Sequence, residues 1–136
     1  MAKQIFVNIA VRDLPRSKAF YEAVGAVNNP QFTDETAACM VISDTIYVML
    51  LTHAKWKSFT AKPIVDAREA SEVSLALGCD SRAAVDQMVE AARQHGGRVD
   101  TNPSQDLGFM YQRTFEDLDG HVWEPVYMDM SQFPKG

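Results

Sequence analysis

The chain has 136 residues, of which 46% are hydrophobic and 23% charged, and its formal net charge is −5. This composition excludes a disordered chain, and the acidic balance argues against nucleic acid or an anionic membrane as a partner. No apolar run approaches the roughly 20 residues that span a bilayer, no leader-like segment opens the chain, and Cys39 and Cys79 are too few for a disulfide framework. We therefore expect a soluble, cytoplasmic protein.

The first half of the chain predicts a strand, a helix and two further strands. Apolar residues indicate a strand over 4–11, and Asp13 followed by Pro15 is typical of a helix start. Gly25 is the expected end of this helix. Two strands joined by a tight turn should follow over 37–43 and 45–52. The polar stretch after them predicts a connection with a short helix near 55–59.

The second half predicts the same series of elements. An apolar strand over 73–79 precedes Asp80 and Ser81, either of which can cap the following helix. That helix runs to about His95 and should end at the glycine pair that follows it. The Asp119-Gly120 pair favours a hairpin turn. Strands are expected over 98–101, 109–116 and 121–128.

This repetition predicts a duplicated module. Asp13 in the first half corresponds to Asp80 in the second, an offset of 67 residues. One module is too small to bury a core of its own, whereas two can share one. We predict a single α+β domain over 1–136, in which βαβββ modules at 3–52 and 72–130 are joined by a connection at 53–71. Together their mixed sheets, flanked by helices, would form a cup suited to a small ligand.

Two segments resemble hallmarks of the vicinal-oxygen-chelate superfamily, which includes glyoxalases, bleomycin resistance proteins and extradiol dioxygenases. They are the opening FVNIAVRDLPRSKAFYEAVG and the closing FEDLDGHVWEPVYM, in which Leu118 replaces the usual proline of the turn. The resemblance covers nearly the whole chain. It implies a cup-shaped fold, a homodimer and a small organic ligand.

Metal-using members of this superfamily offer one inward His or Glu from each of four strands. The resemblance places these four positions at Phe6, Leu50 (within one residue), Ser74 and Glu124. Only Glu124 keeps a ligating residue type, and one carboxylate holds a divalent ion poorly. We therefore expect no metal cofactor, and the alternative that the resemblance implies is a divalent ion such as Ni, Zn, Fe or Mn.

The same faces offer candidate ligand contacts. Glu124 shares an apolar strand face, where it could form a structural hydrogen bond, contact a ligand, act as a general base or bind metal. Asn8, on the face of Phe6, could bind a ligand or serve as a structural partner. Tyr111 could direct its hydroxyl into the cup or pack in the core, and Arg113 lies on the same strand face as Tyr111.

Three functions remain open on this sequence. The first is a small-molecule-binding module with a degenerate metal site, in which Phe6, Asn8, Leu50, Ser74, Tyr111 and Glu124 line the cup. The second is a glyoxalase-like lyase or isomerase with Glu124 as the catalytic carboxylate. The third is a structural or regulatory dimer whose cup is filled by its own side chains. We favour the first function.

Overall fold

A computed structural model of the chain describes residues 3–132. The chain divides into two compact units, Met1–Asp66 and Ala67–Gly136. The boundary lies within the connection predicted at 53–71. In the described part of the chain, no helix has the length and apolar character needed to cross a membrane.

The first unit is a four-stranded mixed sheet with one long helix. Strand β1 runs parallel to β4, the other neighbours are antiparallel, and the order is β1-β4-β3-β2. A turn of 3-10 helix lies at Pro30–Phe32. The short helix α2 lies slightly earlier than predicted, because Thr52 caps its first turn. The elements are β1 (Ile5–Val11), α1 (Leu14–Ala23), β2 (Val27–Asn29), β3 (Ala37–Val41), β4 (Ile46–Thr52) and α2 (His53–Lys57).

The second unit repeats this plan with more interruptions. Strand β5 runs parallel to β10, and the rest of the sheet has the order β6-β9-β10-β8-β7 with antiparallel neighbours. Its elements are β5 (Ser74–Gly78), α3 (Arg82–Gln94), β6 (Arg98–Val99), β7 (Gln105–Asp106), β8 (Met110–Gln112), β9 (Phe115–Glu116), β10 (Val122–Met128) and a 3-10 turn at Met130–Gln132. The tandem βαβββ arrangement and the α+β class are thereby confirmed.

Each sheet has one face that packs against its helix, which we call the back face, and an opposite front face. In the first unit, α1 packs on β3 and β4 and buries Leu14, Phe20 and Tyr21. The fully buried Val48 and Leu50 lie on this back face. In the second unit, α3 packs on β8, β9 and β10. The back face of each sheet therefore holds most of the core, although Cys39 and Leu51 are buried on the front face of the first sheet.

Proline explains why the strand predicted over 109–116 is divided into β8 and β9. Arg113 and Pro125 face each other across the antiparallel pair, and the Arg113 N–H donates to the Pro125 carbonyl at 3.2 Å. Pro125 has no N–H to return a bond to Arg113. The ladder therefore loses one bond at this point, and the strand is interrupted at 113–114.

The helix caps correct the offset between the two modules. Asp13 accepts a hydrogen bond from the Arg16 N–H and caps α1, as predicted. In α3 the cap is Ser81, whose Oγ accepts from the Ala84 N–H at 3.0 Å, and Asp80 lies one residue before it. The offset between equivalent caps is therefore 68 residues rather than 67. This offset aligns Phe6 with Ser74.

This cap can be tested with two neighbouring substitutions. We expect Ser81→Ala to lower the free energy of unfolding by about 1 kcal/mol, because an N–H of the first turn of α3 loses its acceptor. Asp80→Ala is the matched control and should have a much smaller effect. Urea unfolding followed by circular dichroism measures both. A larger loss for Asp80→Ala would show that the aspartate is the cap in solution.

Candidate functional site

The front face of the first unit carries an exposed aromatic pair beside an amide. Phe6 is 51% exposed and lies next to Tyr47 of β4. Their rings stack with centroids 4.6 Å apart and planes 9° apart. Asn8 lies two residues along the same face, and its side chain makes a long 3.4 Å hydrogen bond to the Phe6 carbonyl. The exposed amide therefore retains hydrogen-bonding capacity for a ligand.

The predicted site residue Leu50 lies on the opposite face. Leu50 pairs with Ile9 and is fully buried in the core. The residue of β4 that pairs with Asn8 is Met49, one position earlier. Since strand alternation turns neighbours to opposite faces, Met49 rather than Leu50 shares the front face with Phe6. The prediction allowed an error of one residue, and the strand register resolves it.

Glu124 occupies the front face of the second unit. It pairs with Ala76 of β5, while the flanking pairs join Val122 to Ser74 and Val126 to Gly78. The second unit thus repeats the first, because Asn8 and Ala76 are equivalent at the offset of 68 residues. Glu124 is consequently the counterpart of Met49.

The front face of the strand next to Glu124 carries no large side chain. The three front-face residues of β5 are small and exposed, namely Ser74, Ala76 and Gly78. A Cβ added at Gly78 would meet no atom within 4 Å. Glu124 is half-buried, and within its own unit its carboxylate has no hydrogen bond or ion pair with a described residue. A carboxylate in this position can accept a hydrogen bond or a proton from a ligand.

Tyr111 does not line the front face of the second unit, and this corrects the prediction that it could. It pairs with Tyr127, which lies four residues from the buried Trp123 on the same strand and therefore on the back face. The Tyr111 hydroxyl donates to Asp86 Oδ1 of α3 at 2.6 Å, and this bond raises the pKa of Tyr111. The Tyr111 hydroxyl therefore bonds to helix α3 and is not directed toward a ligand. The alternation of residues along the strand predicts which residues share a face with Tyr111, but not whether that face packs against the helix.

Two front-face residues of the second unit were not identified from the sequence. Gln112 pairs with Val126, and Gln105 of β7 pairs with Gln112, so both amides lie on the face of Glu124. The register on either side also places the buried Thr114 across from Glu124. The alternation of side chains along β8 could have placed Gln112 on the face opposite Tyr111, whereas β7 is too short to show periodicity.

The cysteines lack the electrostatic setting of nucleophiles. Cys39 pairs with Met49 and is buried, and burial raises the pKa of its thiol. Burial likewise raises the pKa of the half-buried Cys79. A raised pKa leaves the thiol protonated near neutral pH, which lowers its reactivity.

The donor set does not fit the metal centre that the resemblance implies. The four equivalent positions hold Phe6, Met49, Ser74 and Glu124, of which only the last is a strong ligand for a divalent ion. Among residues 3–132, no group of three or more His, Cys, Asp or Glu side chains is arranged to hold a metal ion. The chemistry considered below is therefore limited to the side chains of the chain itself.

The order and pairing of the elements define a protein with two tandem βαβββ modules. Comparison with known protein families supports this assignment of the fold. The model of the Glyoxalase/Bleomycin resistance protein/Dioxygenase superfamily matches residues 3–124. Because this match spans most of the chain, the chain belongs to that superfamily. No curated protein sequence matches the chain significantly.

Solved structures share the fold. A hypothetical protein from S. aureus is 29% identical, with 93% of this chain and 95% of that chain covered and a TM-score of 0.76. A glyoxalase/bleomycin resistance protein/dioxygenase family enzyme from Burkholderia phytofirmans is 19% identical, with coverage of 93% and 99% and a TM-score of 0.75. The fosfomycin resistance protein FosX from Mesorhizobium loti is 20% identical, with coverage of 97% for both chains and a TM-score of 0.70.

Proposed function

We propose that the protein binds a small organic molecule on the front face of its second unit and needs no metal to do so. The observation that carries this proposal is Glu124, a half-buried carboxylate without a hydrogen bond or ion pair to any described residue of its unit, on the same front face as the uncovered Gly78. The front face of the first unit, taken by itself, offers apolar contact at Phe6 and hydrogen bonding at Asn8. A carboxylate and a net charge of −5 favour a ligand with a cationic group.

Metal analysis followed by ligand screening tests this function. Elemental analysis of protein purified without chelator should give Ni, Zn, Fe and Mn far below one ion per chain. A thermal-shift screen should then find ligands among aromatic ammonium compounds, because binding to the folded state raises the melting temperature. A stoichiometric metal that disappears in Glu124→Gln would refute the metal-free proposal.

A second candidate function is a glyoxalase-like lyase or isomerase. The absence of a partner for the Glu124 carboxylate among the described residues of its unit favours this candidate, because a general base needs a free acceptor within reach of the substrate proton. Such a base would remove a proton from the carbon beside a carbonyl and return it at another position. Solvent deuterium incorporated into α-keto-aldehyde adducts, followed by NMR, would reveal the exchange. Incorporation that persists in Glu124→Gln would exclude Glu124 as the base.

We also infer a homodimer, as family membership suggests. Strand β2 is an edge of the first sheet, and Val27 of this strand and Phe32 after it are both more than 60% exposed. Exposed apolar residues at a sheet edge are typical of an interface. A cytoplasmic location stays a prediction from the sequence.

A further inference from the structure

One segment of the second unit is held almost entirely by polar contacts. Residues 102–108 are all exposed, and we call residues 101–109 the flap. It contains the two-residue strand β7 and a tight hairpin in which the Leu107 N–H donates to the Met110 carbonyl at 2.8 Å. Segments with little buried apolar surface open at low free energy. The position of the flap therefore depends on specific polar bonds.

Arg82 supplies the strongest of these bonds. Its two terminal nitrogens donate to the two carboxylate oxygens of Asp106, both at 2.9 Å, and one of them also donates to the Gly108 carbonyl at 2.9 Å. The guanidinium also lies 5.1 Å from the ring centre of Tyr111. Exposed ion pairs usually contribute little, but a two-pronged pair within a network is the exception. Arg82 therefore joins α3 to the flap at three points.

The position of Arg82 in the helix indicates that its role is not to stabilise α3. Arg82 is the first residue of α3, where a positive charge opposes the helix dipole. By contrast, Arg93 lies in the last turn, where a positive charge is favourable, and it pairs with Glu90 of the same helix. Arg93 contacts no flap residue through this pair. The chain thus offers a matched arginine on the same helix.

A second arginine fixes the base of the flap. Arg113 donates to both carboxylate oxygens of Asp100, at 3.0 and 2.7 Å, and to Asp86 Oδ1 at 3.0 Å. The flap is therefore anchored at its start by Arg113 and near its tip by Arg82. Hydrogen bonds from Arg82 lower the pKa of Asp106 to about 2, so this carboxylate stays ionised at ordinary pH.

We propose that Arg82 is a latch that holds the flap closed and thereby positions Gln105 on the front face of the second unit. Gln105 lies on the same sheet face as its partner Gln112. Val126 and Gly78 continue this line of paired residues across the neighbouring strands. Gln105 lies two strand spacings across the sheet from β10 and two residues along it from Glu124. Their backbones are therefore about 12 Å apart. Gln105 would contribute an amide at the edge of the ligand surface. This consequence for binding rests on the proposed function, whereas the latch itself does not.

Amide hydrogen exchange without any ligand tests the latch. We expect Arg82→Met to speed exchange of the Leu107 amide by roughly three- to tenfold, since the flap loses its two-pronged bond. Amides of β10 should keep their rates. Arg93→Met removes the same charge from the same helix and should leave the flap unchanged. Asp106→Asn should reproduce the effect from the other side, and Arg82→Asp combined with Asp106→Arg should restore slow exchange.

The outcomes separate the latch from the binding function. Equal exchange in Arg82→Met and the parent protein, or equal acceleration in Arg93→Met, would overturn the latch. Failure of the double variant to restore slow exchange would also overturn it, provided that its β10 amides stay protected. A flap that opens in Arg82→Met while no compound of the ammonium panel binds the parent protein would leave the latch intact and refute only the proposed ligand class.

Discussion

Replacing Gly120 by alanine should destabilise the second unit more than any other glycine substitution in the described chain. Gly120 has φ +94°, and a Cβ there would lie 2.6 Å from the Arg68 nitrogen and 2.8 Å from the Ala67 carbonyl carbon. Both neighbours are backbone atoms, so no side-chain rotation relieves the clash. Left-handed strain and overpacking together should cost about 3 kcal/mol, equivalent to a fall of about 10 °C in the melting temperature.

Gly108→Ala is the matched control for this prediction. Gly108 belongs to the same unit and has φ +82°, but a Cβ there would meet nothing within 4 Å. Only the backbone strain remains, and it should cost about 1 kcal/mol. Chemical unfolding of both variants gives the comparison. If the two losses are equal, the segment at 67–68 does not lie against the turn in solution.

The turn that contains Gly120 also shows why part of the fold could be predicted. The Gly120 N–H donates to the Asp117 carbonyl, and Asp117 Oδ1 accepts from the N–H groups of Asp119 and His121. This is a type I turn followed by a left-handed glycine, and the sequence Asp-Gly is typical of such hairpins. Helices α1 and α3 were predictable for a similar reason, because their caps and apolar spacing are local. Local chemistry therefore determined the elements that were predicted correctly.

The errors arose where the answer depends on partners distant in sequence. Leu50 and Met49 are both apolar, so only the pairing of Met49 with Asn8 shows which of them lies on the front face. Tyr111 needed the position of Asp86 on a helix 25 residues away before its face could be known. The break between β8 and β9 required Pro125 to be placed opposite Arg113. Register and facing are tertiary properties, and one strand viewed alone does not contain them.

Glu124→Gln should weaken ligand binding at least about tenfold without weakening the fold. The substitution keeps the shape of the side chain and removes its charge. A hydrogen bond to a charged group contributes about 1.5–3 kcal/mol, so the dissociation constant of an aromatic ammonium ligand should rise at least about tenfold. A neutral isostere of the same ligand should lose far less. Titration calorimetry on the parent and variant proteins measures both ligands.

Stability provides the second half of this test. Glu124 has no partner among the residues of its unit that the structure describes, and it lies half-buried between Val122 and Val126 on its face. A carboxylate there is partly desolvated without compensation, so its removal should leave the free energy of unfolding unchanged or raise it by up to about 1 kcal/mol. Glu22→Gln, on the exposed surface of α1, changes the net charge equally and should affect neither quantity.

The combination of the two measurements distinguishes a functional from a structural carboxylate. A residue retained for stability should lower the free energy of unfolding when its charge is removed, with little change in affinity. A residue retained for binding should do the opposite, because the folded protein carries an unpaired charge that only the ligand satisfies. If Glu124→Gln unfolds more easily and still binds the ammonium ligand, the carboxylate supports the sheet and the ligand surface must lie elsewhere.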